Sequence, residues 1–182
     1  MKILIAGDIH GSSYYCDKLI SLASDKKVDK IILTGDILYH GPRNDLPKDY
    51  DPKKVTALLN QNSDKILSVR GNCEAEVDQM LLDFPVMSDY VIVVTEKTEL
   101  FITHGHIYNN ENIPSFVKKG VFVNGHTHIP VCESQNGVLF INPGSVSIPK
   151  ENSCHSAVIV ENDNISFYNI ENGEIYMQKE IL

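Results

Sequence analysis

Residues 2–11 read KILIAGDIHG, a short run of mostly apolar residues that ends in a Gly-Asp pair. Such a run predicts a buried strand. Residues 12 to about 24 have the apolar spacing of a helix, and residues 28–33 predict a second strand that again ends in Gly-Asp. A strand, a helix and a strand in this order predict two parallel neighbouring strands, because such crossovers return the chain to the same sheet.

The rest of the chain divides into a helical half and a β-rich half. Residues 39–52 hold three prolines and predict a long loop, and helix, strand and helix are predicted between residues 52 and 83. After Pro85, short β-rich runs dominate, with one brief helix predicted near residues 113–118. Because no linker separates the halves, we predict one domain over residues 1–182, an α/β fold of two packed sheets with helices outside.

Composition and charge exclude several classes of protein. The chain has 182 residues, 42% of them hydrophobic, and a net charge of −8, which argues against stable binding of duplex nucleic acid. No apolar run approaches the ~20 residues of a membrane helix, and no signal peptide is recognisable. The four cysteines lack metal-binding or disulfide spacing, which indicates a reducing compartment. We therefore expect a cytoplasmic protein without a membrane partner.

Polar residues occur in five short blocks, each directly after a predicted strand. Since ligands of open α/β sheets bind beyond the carboxyl ends of the strands, these residues are candidates for one site. Imidazole, carboxylate and amide oxygen together suit divalent Mn, Fe, Co, Ni or Zn. The candidate ligands are Asp8, His10, Asp36, Asn72, His104, His126 and His128.

The spacing and charge of these residues predict two metal ions. Asp8 and His10 are two residues apart, as are His126 and His128, and on extended chain such pairs point the same way. Two divalent ions and two aspartates leave a charge near +2, which suits a hydroxide and an anionic phosphate ester. A single histidine such as His104 could equally be a core residue, but six of the seven histidines lie within or beside the blocks.

The order D-x-H, GD, GN-x-E, HGH and GHTH resembles the calcineurin-like metallophosphoesterases over essentially the whole chain. Four strings resemble more narrowly the small bacterial YfcE-type phosphodiesterases: DIHG at 8–11, HGPRN at 40–44, RGNC at 70–73 and NPGSVSIPK at 142–150. The resemblance implies a four-layer α-β-β-α sandwich of the metallo-dependent phosphatase type. It also implies two divalent ions, with Mn²⁺ favoured over Zn²⁺, Fe²⁺, Co²⁺ or Ni²⁺.

The resemblance also implies a role for each candidate ligand. Asp8, His10 and His128 would hold the first metal. Asn72, His104 and His126 would hold the second, and Asp36 would bridge the two, so that Asp36, Asn72 and His104 would take part in catalysis. His106 falls beside this set, either next to the ligands or as an ordinary structural histidine.

Cys73 departs from the wider superfamily, in which a GNH histidine is placed to protonate the leaving group. A thiol, with an ordinary pKa of ~8.5, is a poor substitute for an imidazole. Cys73 is a candidate for a weak catalytic acid, a packing residue or an oxidation-sensitive group, and packing is favoured. We therefore expect activated aryl diesters to be cleaved readily and alkyl diesters slowly.

The loop of residues 39–52 follows the candidate bridging residue Asp36, so His40, Arg43 and Asn44 are candidate substrate contacts. Arg43 would either contact phosphate oxygens in a bidentate way or pair with a nearby aspartate, Asp45 or Asp49. The sequence does not decide between these alternatives.

The expected function is a phosphoric diester hydrolase (EC 3.1.4.-) that uses a metal-bound hydroxide on a small phosphodiester. Two alternatives stay open: a catalytically weak interaction scaffold like the retromer subunit of this fold, and a phosphomonoesterase. The complete ligand set favours catalysis over the scaffold, and the narrower strings favour diesters. Self-association as a dimer or tetramer is also left open.

Overall fold

The computed structural model describes residues 1–162 and 164–181, which form two β-sheets and three α-helices. The strands are β1 (Lys2–Ala6), β2 (Lys30–Leu33), β3 (Ile66–Ser68), β4 (Tyr90–Val94), β5 (Glu99–Thr103), β6 (Gly120–Asn124), β7 (Val131–Gln135), β8 (Val138–Asn142), β9 (Ser156–Glu161), β10 (Asn164–Asn169) and β11 (Ile175–Glu180). The helices are α1 (Ser13–Asp25), α2 (Pro52–Asn60) and α3 (Glu76–Leu81), and a short 3₁₀ turn spans Ser63–Lys65.

The first sheet has the strand order β11-β10-β9-β1-β2-β3. Its strands β1, β2 and β3 are parallel, as the βαβ pattern predicted, and β9, β10 and β11 are antiparallel to their neighbours. The second sheet has the order β4-β5-β6-β8-β7, with β5, β6 and β8 parallel and antiparallel strands at both edges. Both sheets are thus mixed, and the predicted α/β class is confirmed.

The apolar side chains of β1 alternate between two cores, because successive residues of a strand face opposite sides. Leu4 and Ala6 pack beneath the helices, whereas Ile3 and Ile5 pack against the inner face of the second sheet. A third cluster of Phe101, Phe122, Val138 and Phe140 lies on the outer face of the second sheet. Helices cover only the first sheet; on the second, the covering residues Tyr108, Ile113 and Val117 belong to irregular chain.

Capping side chains determine where two of the helices begin. The hydroxyl of Ser12 accepts a hydrogen bond from the backbone of Tyr15 at the start of α1. The carboxylate of Asp51 accepts one from the backbone of Lys54, and Pro52 occupies the first position of α2. Such caps satisfy donors that have no partner inside the helix.

Three local predictions were wrong. Residues 113–118 form a turn instead of a helix, with a hydrogen bond from Val117 N–H to Pro114 O, because a segment this short gains little from helical hydrogen bonds and is held by apolar packing. The edge strands β7 and β11 were missed, since their largely exposed residues lack the apolar pattern of a buried strand. Helix α3 is shorter than the helix predicted from Glu74 to about Asp83. Its residues Val77, Met80 and Leu81, which were predicted to form an apolar face, are exposed.

Within the described residues, no helix is both long enough and apolar enough to cross a membrane. All four cysteines are free thiols.

Both sheets direct the carboxyl ends of their parallel strands to one edge of the molecule. The first sheet brings the ends of β1, β2 and β3 to this edge, and the second brings the ends of β5 and β6. A hydrogen bond from backbone to side chain connects the two sheets there: the N–H of His126 donates to the Asp8 carboxylate at 3.1 Å, although 118 residues separate them. All five polar blocks therefore meet at one place.

Candidate metal centre

One half of the site is formed by Asp8, His10 and His128, which are all buried. The Asp8 Oδ1 atom lies 3.2 Å from Nε2 of His128 and 3.7 Å from Nε2 of His10. The two Nε2 atoms lie 3.2 Å from each other. One ligand atom from each of these residues thus falls within a sphere that a single metal ion could fill.

The other half is formed by Asn72, His104 and His126. Nε2 of His104 lies 3.1 Å from Oδ1 of Asn72 and 3.2 Å from Nδ1 of His126. His104 is fully buried, whereas Asn72 is exposed. This half therefore opens to solvent on the Asn72 side.

Asp36 lies between the two halves. Its Oδ2 atom is 3.8 Å from Nε2 of His10 and 3.5 Å from Nε2 of His104. Its other oxygen, Oδ1, accepts a hydrogen bond from the backbone of Cys73 at 2.9 Å. The carboxylate is thus oriented so that one oxygen faces both halves.

Backbone carbonyls orient three of the four site histidines. The Nδ1 atom of His10 lies 2.8 Å from Tyr39 O, that of His104 lies 2.8 Å from Thr34 O, and that of His128 lies 2.7 Å from Ile148 O. A carbonyl can only accept, so each Nδ1 donates a proton and each Nε2 presents a lone pair to the centre. This is the arrangement that metal-binding histidines usually adopt.

The ligand atoms fit divalent metal ions because hydrogen-bond acceptors lie close to one another with no donor between them. The lone pairs of His10 and His128 point at each other across 3.2 Å, and Oδ1 of Asp8 is buried without a hydrogen-bond partner. Buried acceptors without donors are unfavourable, and a cation between them would turn the repulsion into coordination. Two carboxylates, four imidazoles and one amide oxygen form a donor set of the kind that Mn, Fe, Co, Ni or Zn accepts.

Five of the seven candidate ligands have a left-handed backbone: Asp8, His10, Asp36, His126 and His128 have φ between 48° and 72°. Positive φ is uncommon for residues other than glycine, and concentrated backbone strain is typical of functional sites. The expectation that Asp8-x-His10 and His126-x-His128 are extended was therefore wrong. The side chains of Asp8 and His10 converge through a tight turn, and those of His126 and His128 face different halves of the site.

The electrostatics of the site favour the charged form of Asp8 and the neutral form of two imidazoles. Burial opposes the ionisation of Asp8, but the close contact with His128 and the neighbouring histidines lower its pKa below the usual value. Burial lowers the pKa of His10 and of His126. Burial also acts to lower the pKa of His128, but the adjacent carboxylate of Asp8 outweighs it and raises that pKa.

Cys73 lies at the wall of the site, partly buried, with Asp36 beside it. Burial, and then the negative charge of Asp36, raise the pKa of its thiol far above the usual value. A thiol that releases its proton so reluctantly is a poor general acid. The position that would hold a catalytic histidine in the wider superfamily is thus occupied by a neutral thiol.

The loop of residues 39–52 reaches the site as the sequence suggested. The carbonyl of Tyr39 accepts from His10, and Gly41 is so close to Cys73 that a side chain there would lie 3.4 Å from the sulfur. Asn44 uses its amide nitrogen within the loop, donating to His40 O at 2.8 Å. His40 is partly buried, and its Nδ1 has no hydrogen-bond partner.

Arg43 is exposed on this loop. In the part of the chain that the structure describes, it forms no ion pair with Asp45 or Asp49. Its guanidinium is therefore available to a ligand that enters from this side.

His106 packs beside the second half of the site, its ring centre 5.3 Å from that of His104. Its Nδ1 atom is buried without a hydrogen-bond partner, and burial, then the proximity of His104, lower its pKa. The geometry does not make it a member of either ligand cluster.

Three residues that were not among the predicted site residues support the metal centre from behind. The hydroxyls of Ser145 and Ser147 both donate to the backbone oxygen of Asp8, at 2.8 and 3.1 Å. The amide of Asn142 donates to Gly125 O and Thr127 Oγ1, next to His126. Their only sequence signal was the NPGSVSIPK string, which by itself does not reveal contacts more than a hundred residues away.

A model of the calcineurin-like phosphoesterase superfamily domain matches residues 1–164 of the chain. Phosphodiesterase YfcE of Escherichia coli K12 is 42% identical over 181 residues, which cover 100% of this chain and 98% of that protein. Phosphodiesterase MJ0936 of Methanocaldococcus jannaschii is 29% identical over 153 residues, 79% of this chain and 83% of that protein.

Solved structures give the same result for the fold. The structure of E. coli YfcE, described as a phosphoesterase, superposes with a TM-score of 0.96 at 42% identity and covers the full length of both chains. Vps29 of Entamoeba histolytica in complex with zinc superposes with a TM-score of 0.65 at 16% identity and covers 99% of both chains. At that identity the likeness concerns the fold alone.

Proposed function

The chain belongs to the calcineurin-like phosphoesterase superfamily, and we propose that it hydrolyses small phosphodiesters at a dinuclear metal centre. The family and the clustered histidine and aspartate side chains support a metal-dependent phosphoesterase. The proposed ligands of the first ion are Asp8, His10 and His128, and those of the second are Asn72, His104 and His126. Asp36 is proposed to bridge them. Mn²⁺ is the proposed ion, and residues 1–182 are proposed to act as one cytoplasmic domain.

The observation that carries this proposal is the convergence of unprotonated acceptor atoms. Nε2 of His10 and Nε2 of His128 face each other at 3.2 Å, and Oδ2 of Asp36 faces both halves at 3.5 and 3.8 Å. Two divalent ions bound there would supply a deprotonated water at neutral pH and offset the negative charge of the phosphate.

The chain's own residues would bind and orient the diester. The half formed by Asn72 is open, so a phosphate can enter beside it. Arg43 would donate to phosphate oxygens from the loop of residues 39–52. The neutral thiol of Cys73 would give little protonation of the leaving group, so the departing alcohol must be stable as an anion.

The name of the 42% identical relative supports a diester substrate over a monoester. The complete ligand set supports catalysis over a scaffold role, because each of the seven expected positions carries a group able to bind metal.

The test is hydrolysis of bis(p-nitrophenyl) phosphate by chelator-stripped protein that is titrated with Mn²⁺. We expect metal-dependent turnover, and we expect Asp36→Asn to abolish it by removing the charge of the bridging group. Asp25→Asn, at the exposed end of α1, is the matched control and should retain full turnover. Metal binding without turnover, for Mn²⁺, Co²⁺, Ni²⁺ and Zn²⁺ alike, would contradict the proposal and favour a scaffold.

A further inference from the structure

One carboxylate beside the site is bonded to backbone instead of facing the metal centre. The side chain of Glu74 turns back toward the ends of β2 and β3. Its Oε2 accepts from the backbone N–H of Asp36 at 2.9 Å and from that of Gly71, and its Oε1 accepts from Ile37 N–H at 2.7 Å. Three backbone donors from two strand ends thus converge on one side chain.

These contacts begin where the β-sheet ladder stops. The hydrogen bond from Val69 N–H to Leu33 O, 3.0 Å long, joins the ends of the two strands. Arg70 N–H faces the other side and donates to Ser88 O, and the next donor on the side of β2, Gly71 N–H, donates to Glu74 instead of to backbone. From this point Glu74 continues the connection between the two chain segments that the ladder no longer joins.

The two turns joined by Glu74 also touch directly. A side-chain carbon at Gly71 would lie only 2.1 Å from Oδ1 of Asp36, so no residue larger than glycine fits without a shift. Asp36 itself is in the left-handed region, with φ of 54°. A non-glycine residue keeps this conformation only when its surroundings stabilise it. The hydrogen bond from Asp36 N–H to Glu74 is one of the stabilising contacts.

We propose that Glu74 is a positioning residue of the metal centre, whose carboxylate holds the turn of Asp36 and the turn of Asn72 at the separation that two metal ions require. This inference rests on the proposed function. Glu74 binds no ion in this arrangement; it fixes the backbone from which the bridging carboxylate and one ligand of the second half project. Groups that orient metal ligands typically contribute about 10–100-fold in metal affinity.

The geometry makes Glu74→Gln the informative substitution. The amide has nearly the same shape, but only one of its two terminal atoms accepts hydrogen bonds. Its NH₂ group must face either the N–H of Ile37 or the N–H groups of Asp36 and Gly71, which leaves at least one of these donors unpaired. We therefore expect the connection between the two turns to weaken.

The experiment measures Mn²⁺ binding without relying on turnover. Wild type and Glu74→Gln, both stripped of metal, are titrated by isothermal calorimetry, and electron paramagnetic resonance at two equivalents reports whether two Mn²⁺ ions are magnetically coupled. We expect wild type to bind two coupled ions. In Glu74→Gln the affinity of at least one ion should fall about 10–100-fold, and the coupled signal should be lost.

Glu76→Gln is the matched control, because it removes the same charge two residues away from an exposed position in α3. It should bind Mn²⁺ as wild type does. Glu74→Asp is the second variant: it keeps the charge but shortens the side chain by one methylene, so metal affinity should fall between those of wild type and Glu74→Gln. If Glu74→Gln does not fold, the comparison of Glu74→Asp with wild type tests the inference.

A purely structural role predicts a different result, namely lower stability of the metal-free protein with unchanged metal affinity. Two coupled ions of wild-type affinity in Glu74→Gln, or in Glu74→Asp if only that variant folds, would overturn the inference and leave the proposed function intact. A wild-type protein that bound no Mn²⁺ would overturn both.

Discussion

At the scale of single residues, Cys73 is the position that separates this site from the wider superfamily. Its thiol sits beside Asp36 and keeps its proton, because burial and the nearby carboxylate raise its pKa. The role as a packing residue, favoured from the sequence, is consistent with this environment. A weak acid role is disfavoured, since the thiol neither ionises nor donates readily near neutral pH.

Cys73→His should raise the rate on diesters with poor leaving groups. An aligned general acid contributes about 10²–10⁴-fold, so we expect at least about a tenfold gain on an alkyl aryl diester when the alkoxide leaves, and little gain for p-nitrophenolate. The measurement compares kcat/KM for the two leaving groups. Cys132→His, at a partly exposed position in β7, is the control. A wild-type enzyme equally fast on both leaving groups would refute the reasoning.

Arg43→Ala should weaken substrate binding. Arg43 is exposed, pairs with neither Asp45 nor Asp49 in the described structure, and lies on the loop beside the site. Losing a charge-assisted contact to phosphate typically costs about 1.5–3 kcal/mol, or roughly 10–150-fold in KM. Lys53→Ala, on the exposed side of α2, is the control. An unchanged KM for bis(p-nitrophenyl) phosphate would exclude a substrate role for Arg43.

At the scale of elements, the turn that follows β8 supports the turn that follows β1. Ser145 is fully buried; its hydroxyl donates to Asp8 O at 2.8 Å and accepts from Ile148 N–H at 2.9 Å. Two segments 137 residues apart are thereby joined behind the first half of the site. The strained backbone of Asp8 is thus held by contacts from a distant element.

Ser145→Ala should lower the free energy of unfolding by about 1–3 kcal/mol, because it removes a buried hydrogen bond to Asp8 O, which then keeps only its bonds from Ser147, and leaves the N–H of Ile148 without its side-chain partner. Urea unfolding of the metal-free protein measures this change. Ser134→Ala, at an exposed position of β7, should change stability by less than about 0.5 kcal/mol. Equal effects of the two substitutions would show that the turn does not depend on the Ser145 hydroxyl.

At the scale of the whole molecule, buried histidines make stability depend on pH. Burial lowers the pKa of His10, His106, His126 and His155, so the unfolded chain takes up protons at these positions before the folded chain does. Stability from these groups is complete above the unfolded pKa of ~6.5 and is lost as pH falls below it. His128, whose pKa is raised, acts in the opposite sense.

Because four histidines outweigh one, the metal-free protein should be less stable at pH 5.5 than at pH 7.5. Urea unfolding at the two pH values measures the difference. Carboxylates whose pKa is lowered, such as Asp8, contribute only at more acidic pH. Glu74 acts in this window in the same sense as His128 and against the four histidines, because burial and then the charge of Asp36 raise its pKa to about 7. A free energy of unfolding that stayed level or rose on acidification would show that His128 and Glu74 dominate.

Local sequence was sufficient to predict the first three strands, the parallel βαβ start and the polar residue at the end of each strand. These features are local because apolar periodicity and a following Gly-Asp or Gly-Asn pair occupy only a few neighbouring residues. The edge strands β7 and β11 could not be predicted in this way. Their residues are mostly exposed, and only backbone pairing with β8 and β10 makes them strands.

The sequence by itself determined which groups are available to hold metal, since the residue types of Asp8, Asp36 and the histidines supply the carboxylates and imidazoles. Only the tertiary structure decided how they are arranged: that His126 and His128 turn to different halves, that five ligands adopt left-handed backbone, and that Glu74 and Ser145 hold the turns. The physical reason is distance along the chain. These arrangements depend on hydrogen bonds between residues 37 to 139 positions apart, which no local pattern specifies.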